Sequence, residues 1–82
     1  MPENRWKAQL TVTVNGNQIV IAEGSGIDEL IKSLDLNPQK VAVEVNRKII
    51  RRAHWDSTTI SEGDRVEIVH FVGGGSGVIR DA

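Results

Sequence analysis

The sequence predicts an α+β domain built in two layers. Three features support this fold class: an early β-hairpin pattern, one amphipathic helix after it, and a strand close to the far end of the chain. With the helix covering one face of the sheet, these elements make a two-layer arrangement. A chain of 82 residues has room for one such domain and buries only about 60 to 65% of its unfolded surface, so a deep substrate cleft is not expected.

A β-hairpin is predicted at the start of the domain. Residues 10–14 alternate apolar and polar side chains, and residues 18–22 are again rich in β-forming residues. Asn15 and Gly16 lie between the two segments, and both tolerate the positive φ of a type I′ turn. The two segments should therefore pair as antiparallel strands.

The next segment has the spacing of an amphipathic helix. Four apolar residues would lie along one helical face: Ile27, Leu30, Ile31 and Leu34. Ser25, followed three residues later by Asp28, resembles a capping box at the start of this helix. Asn37 and Pro38 are expected to stop the helix, because a proline disfavours helical geometry in the residue before it.

Further strands are predicted in the second half of the chain. Residues 41–45 alternate in the manner of a strand, and residues 48–50 can pair with them after a tight turn at Asn46 and Arg47. Residues 51–64 show no sustained period. A last strand covers residues 66–71, and its pattern leaves open which of its two faces is buried.

The composition excludes several classes of function. The chain has no cysteine, so a disulfide framework, a thiol nucleophile and a thiolate metal site are all excluded. Its 10 Lys and Arg against 11 Asp and Glu give a net charge of −1, which offers nucleic acid no excess of positive charge. The first residues lack the apolar core of a signal peptide, and no stretch approaches the roughly 20 apolar residues of a membrane span. We therefore expect a cytoplasmic protein that binds neither nucleic acid nor a membrane.

The aromatic and histidine side chains give little support to side-chain catalysis. His54 and His70 do not fall in a metal-binding spacing, nor beside an obvious nucleophile and acid. Both histidines are therefore interpreted as structural or surface residues, and neither a catalytic side chain nor a metal site is predicted. Trp55 is expected to fill the small core, with contact to a partner protein as its alternative role.

Two clusters of charged residues could bind a ligand but have a simpler explanation. The basic cluster is Arg47, Lys48, Arg51 and Arg52. It could contact phosphate or an acidic partner, but such residues more often form a solvated sheet edge that resists aggregation. The acidic cluster is Glu62, Asp64 and Glu67. It could bind a metal, but carboxylates in a turn and on a strand favour turn formation and solubility.

A glycine run follows the last strand. Gly73, Gly74 and Gly75 precede Ser76 and Gly77. The run lacks the Lys-Ser/Thr of a phosphate-binding loop and precedes no predicted helix, so it does not predict a nucleotide site. From composition alone, the run fits a flexible linker or a cloning remnant as well as it fits a functional tail. Because glycine loses more backbone freedom on ordering than any other residue, the tail from residue 73 is expected to be mobile.

Several segments, in their order and spacing, carry a resemblance to a known family. They are Val14-Asn15-Gly16, Ile27-Asp28-Glu29-Leu30-Ile31, Val43-Glu44-Val45-Asn46, Ile49-Ile50, Arg52-Ala53-His54-Trp55 and Ile60-Ser61-Glu62-Gly63-Asp64-Arg65-Val66-Glu67-Ile68-Val69-His70-Phe71-Val72. Together they resemble the ThiS family of thiamine-biosynthesis sulfur carriers and, more distantly, the small subunit of molybdopterin synthase. The likeness covers about residues 10–75.

The resemblance implies a ubiquitin-like β-grasp fold, which has a mixed sheet with one main helix packed on one face. It also implies three divisions of the chain. These are an N-terminal extension at residues 1–8, a β-grasp domain at residues 9–72, and a flexible glycine-rich tail at residues 73–82.

The function implied by the resemblance is that of a sulfur carrier, which is a protein cosubstrate and not an enzyme. In that family an E1-like enzyme of the ThiF type uses ATP and magnesium to adenylate the terminal glycine, here Gly75. Sulfur from a donor system then replaces AMP to give a thiocarboxylate, and a thiazole synthase of the ThiG type takes the sulfur. Gly73, Gly74 and Gly75 would enter the partner's active site, while Phe71 and Val72 would contact the partner. The chain itself would bind no cofactor and no metal.

The chain departs from the family pattern at its end. Ser76 and six further residues follow Gly75, and an internal peptide carbonyl cannot be adenylated as a free carboxylate can. Either the extension is removed after Gly75, or the chain is not an active carrier as written, or the tail is foreign to the natural protein. Two alternative functions therefore stay open: a molybdopterin synthase small subunit, and a non-catalytic β-grasp module that keeps its tail.

Overall fold

The computed structural model describes residues 8–72 and 77–80. The regular structure of this part of the chain consists of one α-helix, six strands and two short 3₁₀ helices. The strands are β1 (Gln9–Val14), β2 (Asn17–Ala22), β3 (Val41–Val45), β4 (Lys48–Ile50), β5 (Arg65–Val72) and β6 (Gly77–Arg80). The helix is α1 (Ile27–Ser33), and 3₁₀ helices cover Pro38–Lys40 and Arg52–Ser57. The predicted hairpin, helix and later strands are all present.

The sheet is mixed, and its last long strand lies at its centre. The main strand order is β2-β1-β5-β3-β4, with β6 pairing a part of β5. β5 runs parallel to β1, joined through Thr13 with Arg65 and Val14 with Val66, and antiparallel to β3 along five residue pairs. The first and the last long strand of the domain, β1 and β5, therefore lie side by side in the sheet. The sequence pattern alone left this strand order open.

Both hairpin turns have the backbone geometry that their sequences predict. Asn15 and Gly16 join β1 to β2 with φ of 48° and 86°, as a type I′ turn requires. Asn46 and Arg47 join β3 to β4 with φ of 52° and 72°. The first residue of each turn is an asparagine, which tolerates this left-handed geometry better than most residues do.

The two turn asparagines also bind the central strand with their side chains. The Asn15 Oδ1 accepts a hydrogen bond from the Ile68 N–H at 2.7 Å, and its Nδ2 donates to the Ile68 carbonyl at 3.3 Å. On the other side of β5, the Asn46 Oδ1 accepts from the Arg65 N–H at 3.0 Å. Each side-chain amide thus continues the pairing of β5 where the neighbouring strand turns away, since an amide presents the same donor and acceptor as a peptide group.

The start of α1 differs by one residue from the predicted cap. The N-cap is Gly26, and its N–H donates to the Glu29 carboxylate at 2.9 Å, whereas the Ser25 hydroxyl donates to the Ala22 carbonyl. The prediction of a cap by Ser25 and Asp28 is therefore wrong. Gly26 bridges to Thr59, and a Cβ at this position would approach the Asp28 Oδ1 to 2.7 Å, so a residue without a side chain fits here.

The helix ends before the predicted proline. Leu34 is the C-cap, and Asp35 has a φ of 60°, in the left-handed geometry that commonly closes a helix. The Leu36 N–H then donates back to the Ile31 carbonyl at 3.2 Å. Asn37 instead caps the 3₁₀ helix at Pro38–Lys40, where its side chain accepts from the Gln39 N–H.

The core lies between α1 and one face of the sheet. Its buried members are Val12, Val14, Ile27, Leu30, Ile31, Val41, Val43, Trp55, Ile60, Val66 and Ile68. The face of β5 that packs into this core is thus the one that carries Val66 and Ile68, while Val69, on the opposite face, is also buried at 4% exposed. Leu34, the fourth residue of the predicted helical stripe, is 37% exposed because it follows the last helical residue. The α+β prediction with one helix on one sheet face is confirmed.

The end of the chain contains a strand that the sequence pattern does not predict. β6 runs antiparallel to β5, pairing Val69 with Arg80 at one end and Val72 with Gly77 at the other. Residues 77–80 therefore carry backbone pairing where a mobile tail was expected. Residues 1–7, 73–76 and 81–82 lie outside the described residues, and the predicted N-terminal extension and most of the glycine run fall among them.

Replacing Leu30 with alanine is expected to lower the free energy of unfolding by ~2–4 kcal/mol, because it removes buried methyl groups and leaves a cavity. Leu30 is 1% exposed in the core. Leu34→Ala is the matched control, with a loss below about 1.5 kcal/mol. Urea denaturation followed by circular dichroism measures both, and equal losses would contradict the burial of the helix face.

Replacing Asn15 with glycine is expected to destabilise the domain by ~1–3 kcal/mol, because the half-buried N–H of Ile68 loses its acceptor. Glycine keeps the freedom to adopt positive φ, so the loss reports on the side-chain amide and not on turn strain. Asn17→Gly, at the exposed start of β2, is the control for an asparagine outside this contact. A midpoint of urea denaturation that shifts equally in the two variants would refute the role of the Asn15 amide.

Candidate functional site

The end of β5 is where the chain leaves the domain toward the predicted site. Phe71 is 36% exposed and thus available for contact with a partner. Val72 is the last residue of β5, and its backbone pairs with Gly77. The proposed modification site, Gly75, and its neighbours Gly73 and Gly74 lie outside the described residues.

The position of this exit is determined by the pairing of β5 on both sides. β3 pairs with β5 as far as Val41 with His70, and β1 and Asn15 hold the opposite side as far as Ile68. Phe71 and Val72 thus project one and two residues beyond the last pair with β3. A tail attached here starts from a rigid point, since its anchor is the central strand of the sheet.

The two histidines lie on different elements of the fold. His54 is exposed in the 3₁₀ helix at Arg52–Ser57, where its carbonyl accepts from the hydroxyls of Ser57 and Thr58. His70 is half-buried in β5, next to the exit. Within residues 8–72, no group of three or more histidine, aspartate or glutamate side chains is arranged to hold a metal ion.

Trp55 belongs to the core, as the sequence predicts. Its side chain is 3% exposed, and its Nε1 donates to the Ile50 carbonyl at 2.9 Å. A buried indole with a satisfied N–H has a structural role. The alternative role, contact with a partner, would require an exposed ring.

The two charged clusters lie at different places in the fold. The four basic residues of the cluster at 47–52 are all exposed, at and after the short edge strand β4. Glu62 accepts a hydrogen bond from the Thr11 N–H at 2.9 Å. Asp64 accepts from the Ser61 N–H at 2.8 Å and from the Asn46 side chain at 3.0 Å. These two carboxylates therefore stabilise the turn that leads into β5.

Surface grooves on the described part of the chain are small. One of about 260 Å³ lies between β2 and α1, lined by Val20, Glu29 and Ser33 among others. Another of about 190 Å³ lies beside Trp55 and Leu36. Both are below the roughly 300 Å³ at which pockets for small molecules begin. A third groove, of about 350 Å³, is open to solvent and lined by Asn46, Arg47, Gly63 and Arg65.

Comparison with known protein families assigns the chain. The model of the ThiS family matches residues 5–75, which is most of the chain and ends at the last glycine of the run. The chain belongs to the ThiS family. The family match begins before the first strand and spans the whole sheet up to β5, so it covers the complete β-grasp domain.

Solved structures and curated relatives of this ThiS family member agree with that assignment. A crystal structure of the thiamine biosynthesis protein ThiS from Geobacter metallireducens matches with a TM-score of 0.72 and 36% identity, covering 80% of this chain and 100% of that one. The sulfur carrier protein ThiS of Bacillus subtilis is 36% identical over 63 residues, which are 96% of that protein. The predicted β-grasp fold is therefore confirmed.

A second kind of relative is much longer than this chain. The thiazole synthase of Magnetococcus marinus is 33% identical over 66 residues, and that of Paramagnetospirillum magneticum is 31% identical over 67. The matched segments are 20% and 21% of those proteins. The chain thus spans about a fifth of the length of these two relatives.

Among its own described residues, no helix has the length and apolar character needed to cross a bilayer.

Proposed function

We propose that this ThiS family member is a sulfur carrier for thiazole formation, and that its reacting group is the carboxylate of Gly75. The observation that carries this proposal is where the family match ends. It stops at residue 75, three residues after the last residue of the central strand. The matched part of this chain is thus a folded domain followed by three glycines.

The chemistry requires a free carboxylate at Gly75. A carboxylate oxygen attacks the α-phosphorus of ATP, so that pyrophosphate leaves and an acyl adenylate forms. A hydrosulfide ion from the sulfur donor system then attacks the carbonyl carbon and loses its proton, AMP leaves with one of the original oxygens, and a thiocarboxylate remains. ATP and magnesium are bound by the activating partner, an enzyme of the ThiF type, which supplies the electrostatic stabilisation that the small domain lacks.

The domain contributes position rather than reactivity. Three extended residues beyond Val72 reach about 10 Å, which is enough to carry a terminal carboxylate into a neighbouring protein. Glycines suit this path because a chain without side chains passes through a narrow channel. The exposed Phe71 lies next to the start of the tail and is proposed to contact the partner.

The acceptor of the sulfur is proposed to be a thiazole synthase of the ThiG type. Two proteins named thiazole synthase contain a segment similar to this chain. A carrier-like segment within the same polypeptide as a synthase supports a physical association between the two activities. Pull-down with a thiazole synthase, and in parallel with the large subunit of molybdopterin synthase, distinguishes this acceptor from the alternative pathway.

The seven residues Ser76 to Ala82 place the Gly75 carbonyl in a peptide bond. The proposed function therefore requires their removal, which leaves Gly75 as the terminus. A chain that retains them can bind a partner but offers no carboxylate at this position.

A chain that ends at Gly75, mixed with a ThiF-type enzyme, ATP, magnesium and a sulfur donor, is expected to gain about 16 Da as sulfur replaces one carboxylate oxygen. The full-length chain should gain nothing at this position. Intact mass spectrometry measures both. If the full-length chain, with its extension still attached by mass, delivered sulfur as well as the shorter one, the terminal-carboxylate mechanism would be wrong and a tethered binding module would be the better description.

Replacing Gly74 with tryptophan in the Gly75-ended chain is expected to reduce thiocarboxylate formation at least about 100-fold while leaving the melting temperature unchanged, because the indole obstructs the channel of the partner. Gln39→Trp, at an exposed position of the 3₁₀ helix at Pro38–Lys40, is the matched control and should keep full activity. The rate of the mass gain and the melting temperature are measured for both. Normal sulfur loading of the Gly74 variant would refute threading of the tail.

A further inference from the structure

The two hairpin turns of the sheet share a backbone geometry but differ in the type of their second residue. The turn between β1 and β2 has Gly16 there, with a φ of 86°, whereas the turn between β3 and β4 has Arg47, with a φ of 72°. At positive φ the Cβ lies too close to the following carbonyl oxygen, so a residue with a side chain is strained where glycine is not. Asparagine, the first residue of both turns, tolerates this region. Arg47 is therefore the turn residue whose type does not suit its backbone.

The side chain of Arg47 does not offset this strain by a contact within the domain. It is exposed, and its guanidinium group has neither a hydrogen-bond nor an ion-pair partner among the described residues. An arginine that only kept the sheet edge solvated would serve as well at an unstrained position such as Arg51, whose φ is −64°. A strained residue of this kind points to a role outside the fold.

Arg47 lines the solvent-open groove of about 350 Å³, together with Asn46, Gly63 and Arg65. Asn46 fixes the two arginines relative to each other. Its Oδ1 accepts from the Arg65 N–H at 3.0 Å, its own N–H donates to the Arg65 carbonyl at 2.8 Å, and Arg47 follows it in the turn. Arg65 is also exposed, and within residues 8–72 and 77–80 its guanidinium group has no partner. The turn after β3 and the start of β5 thus each place one guanidinium group at the same groove.

The carboxylate next to Arg65 in the sequence is engaged elsewhere. Asp64 is not one of the lining residues, and its two oxygens accept from the Asn46 side chain at 3.0 Å and from the Ser61 N–H at 2.8 Å. The groove therefore presents two arginines and an amide to solvent. Guanidinium groups match the oxygens of phosphate with paired N–H donors, and one phosphate has enough oxygens to bind two of them.

We propose that the groove between Arg47 and Arg65 binds a phosphate group, carried either by inorganic phosphate or by a small phosphate monoester. The volume of the groove exceeds the roughly 300 Å³ at which small-molecule pockets begin, so the organic part of an ester has room. The site lies at the start of β5, and the tail leaves from the other end of this strand, about 23 Å away. A bound phosphate thus leaves the tail free, and its binding does not depend on the proposed sulfur transfer.

The site is tested by NMR titration of the full-length chain with sodium phosphate and, separately, with AMP. The pH is held at about 7.5, where a phosphate monoester carries nearly two charges, and sodium chloride keeps the ionic strength constant. The Arg47 and Arg65 amides should shift until they saturate. Tighter binding of AMP than of phosphate assigns the site to an ester, and equal or weaker binding assigns it to free phosphate. Shifts that fail to saturate, or that chloride alone reproduces, would show only general screening and overturn the site.

Arg47→Gln removes the guanidinium group but keeps a side chain at the strained position. Phosphate binding should weaken at least about tenfold, and the melting temperature should stay unchanged. Arg51→Gln is the matched control, because it removes the same charge from the basic cluster outside the groove. Its affinity for phosphate should stay within about twofold of that of the unsubstituted chain. Equal losses in the two variants would mean that overall charge attracts the anion, which contradicts a site in the groove.

Arg47→Gly tests whether stability is lost at this position in favour of binding. Phosphate binding should fall as in Arg47→Gln, but the melting temperature should rise by about 4 °C, since glycine is not strained at this φ. Gly16→Arg is the reciprocal variant in the other hairpin, where a Cβ would meet nothing within 4 Å. Its melting temperature should fall by a similar amount. An Arg47→Gly variant that melts at or below the temperature of the unsubstituted chain would show that Arg47 supports the fold itself, and its role as a binding residue would be refuted.

Discussion

The insertion of β5 between β1 and β3 is the constraint on which the rest of the structure depends. This strand pairs with residues about fifty positions earlier on one side and about twenty-five earlier on the other. Joining such distant segments costs loop-closure entropy, which the core must offset by burying one face of β5 against α1. The asparagine amides at the two hairpin turns extend the pairing and leave fewer unpaired groups in the middle of the sheet.

The same constraint bears on the proposed role in sulfur transfer, because it determines where the glycine tail begins. A central strand is the most rigid anchor that a small sheet offers, and the tail begins at the end of it. The proposed reactive carboxylate therefore starts from a defined point while its path stays free of side chains. In the proposed function, ATP binding and electrostatic stabilisation would come from the activating partner. The core of the described domain consists of aliphatic side chains and Trp55.

Elements with a local cause were predictable from the sequence. The type I′ turn at Asn15 and Gly16 follows from the φ preferences of two residues, and α1 follows from the spacing of Ile27, Leu30 and Ile31. The cap of α1 was misplaced by one residue for a physical reason. The Ser25 carbonyl accepts from the Ile60 N–H, and the Ile27 N–H donates to Thr58, so a distant segment decides where the helix begins. The residues that neighbour Ser25 in the sequence do not reveal these contacts with a distant segment.

The sequence by itself thus determined the turns, through the φ preferences of their residues, and the amphipathic elements, through their apolar periodicity. It also determined the fold class, the family resemblance and the glycine tail that ends at residue 75. The tertiary structure decided the strand order, the buried face of β5, and the pairing of residues 77–80 with its edge. The physical reason is that side chains differ along the chain but backbone N–H and carbonyl groups do not. Side-chain patterns therefore specify local structure and burial, whereas the partner of a strand edge is settled by which backbone groups the folded domain leaves unpaired.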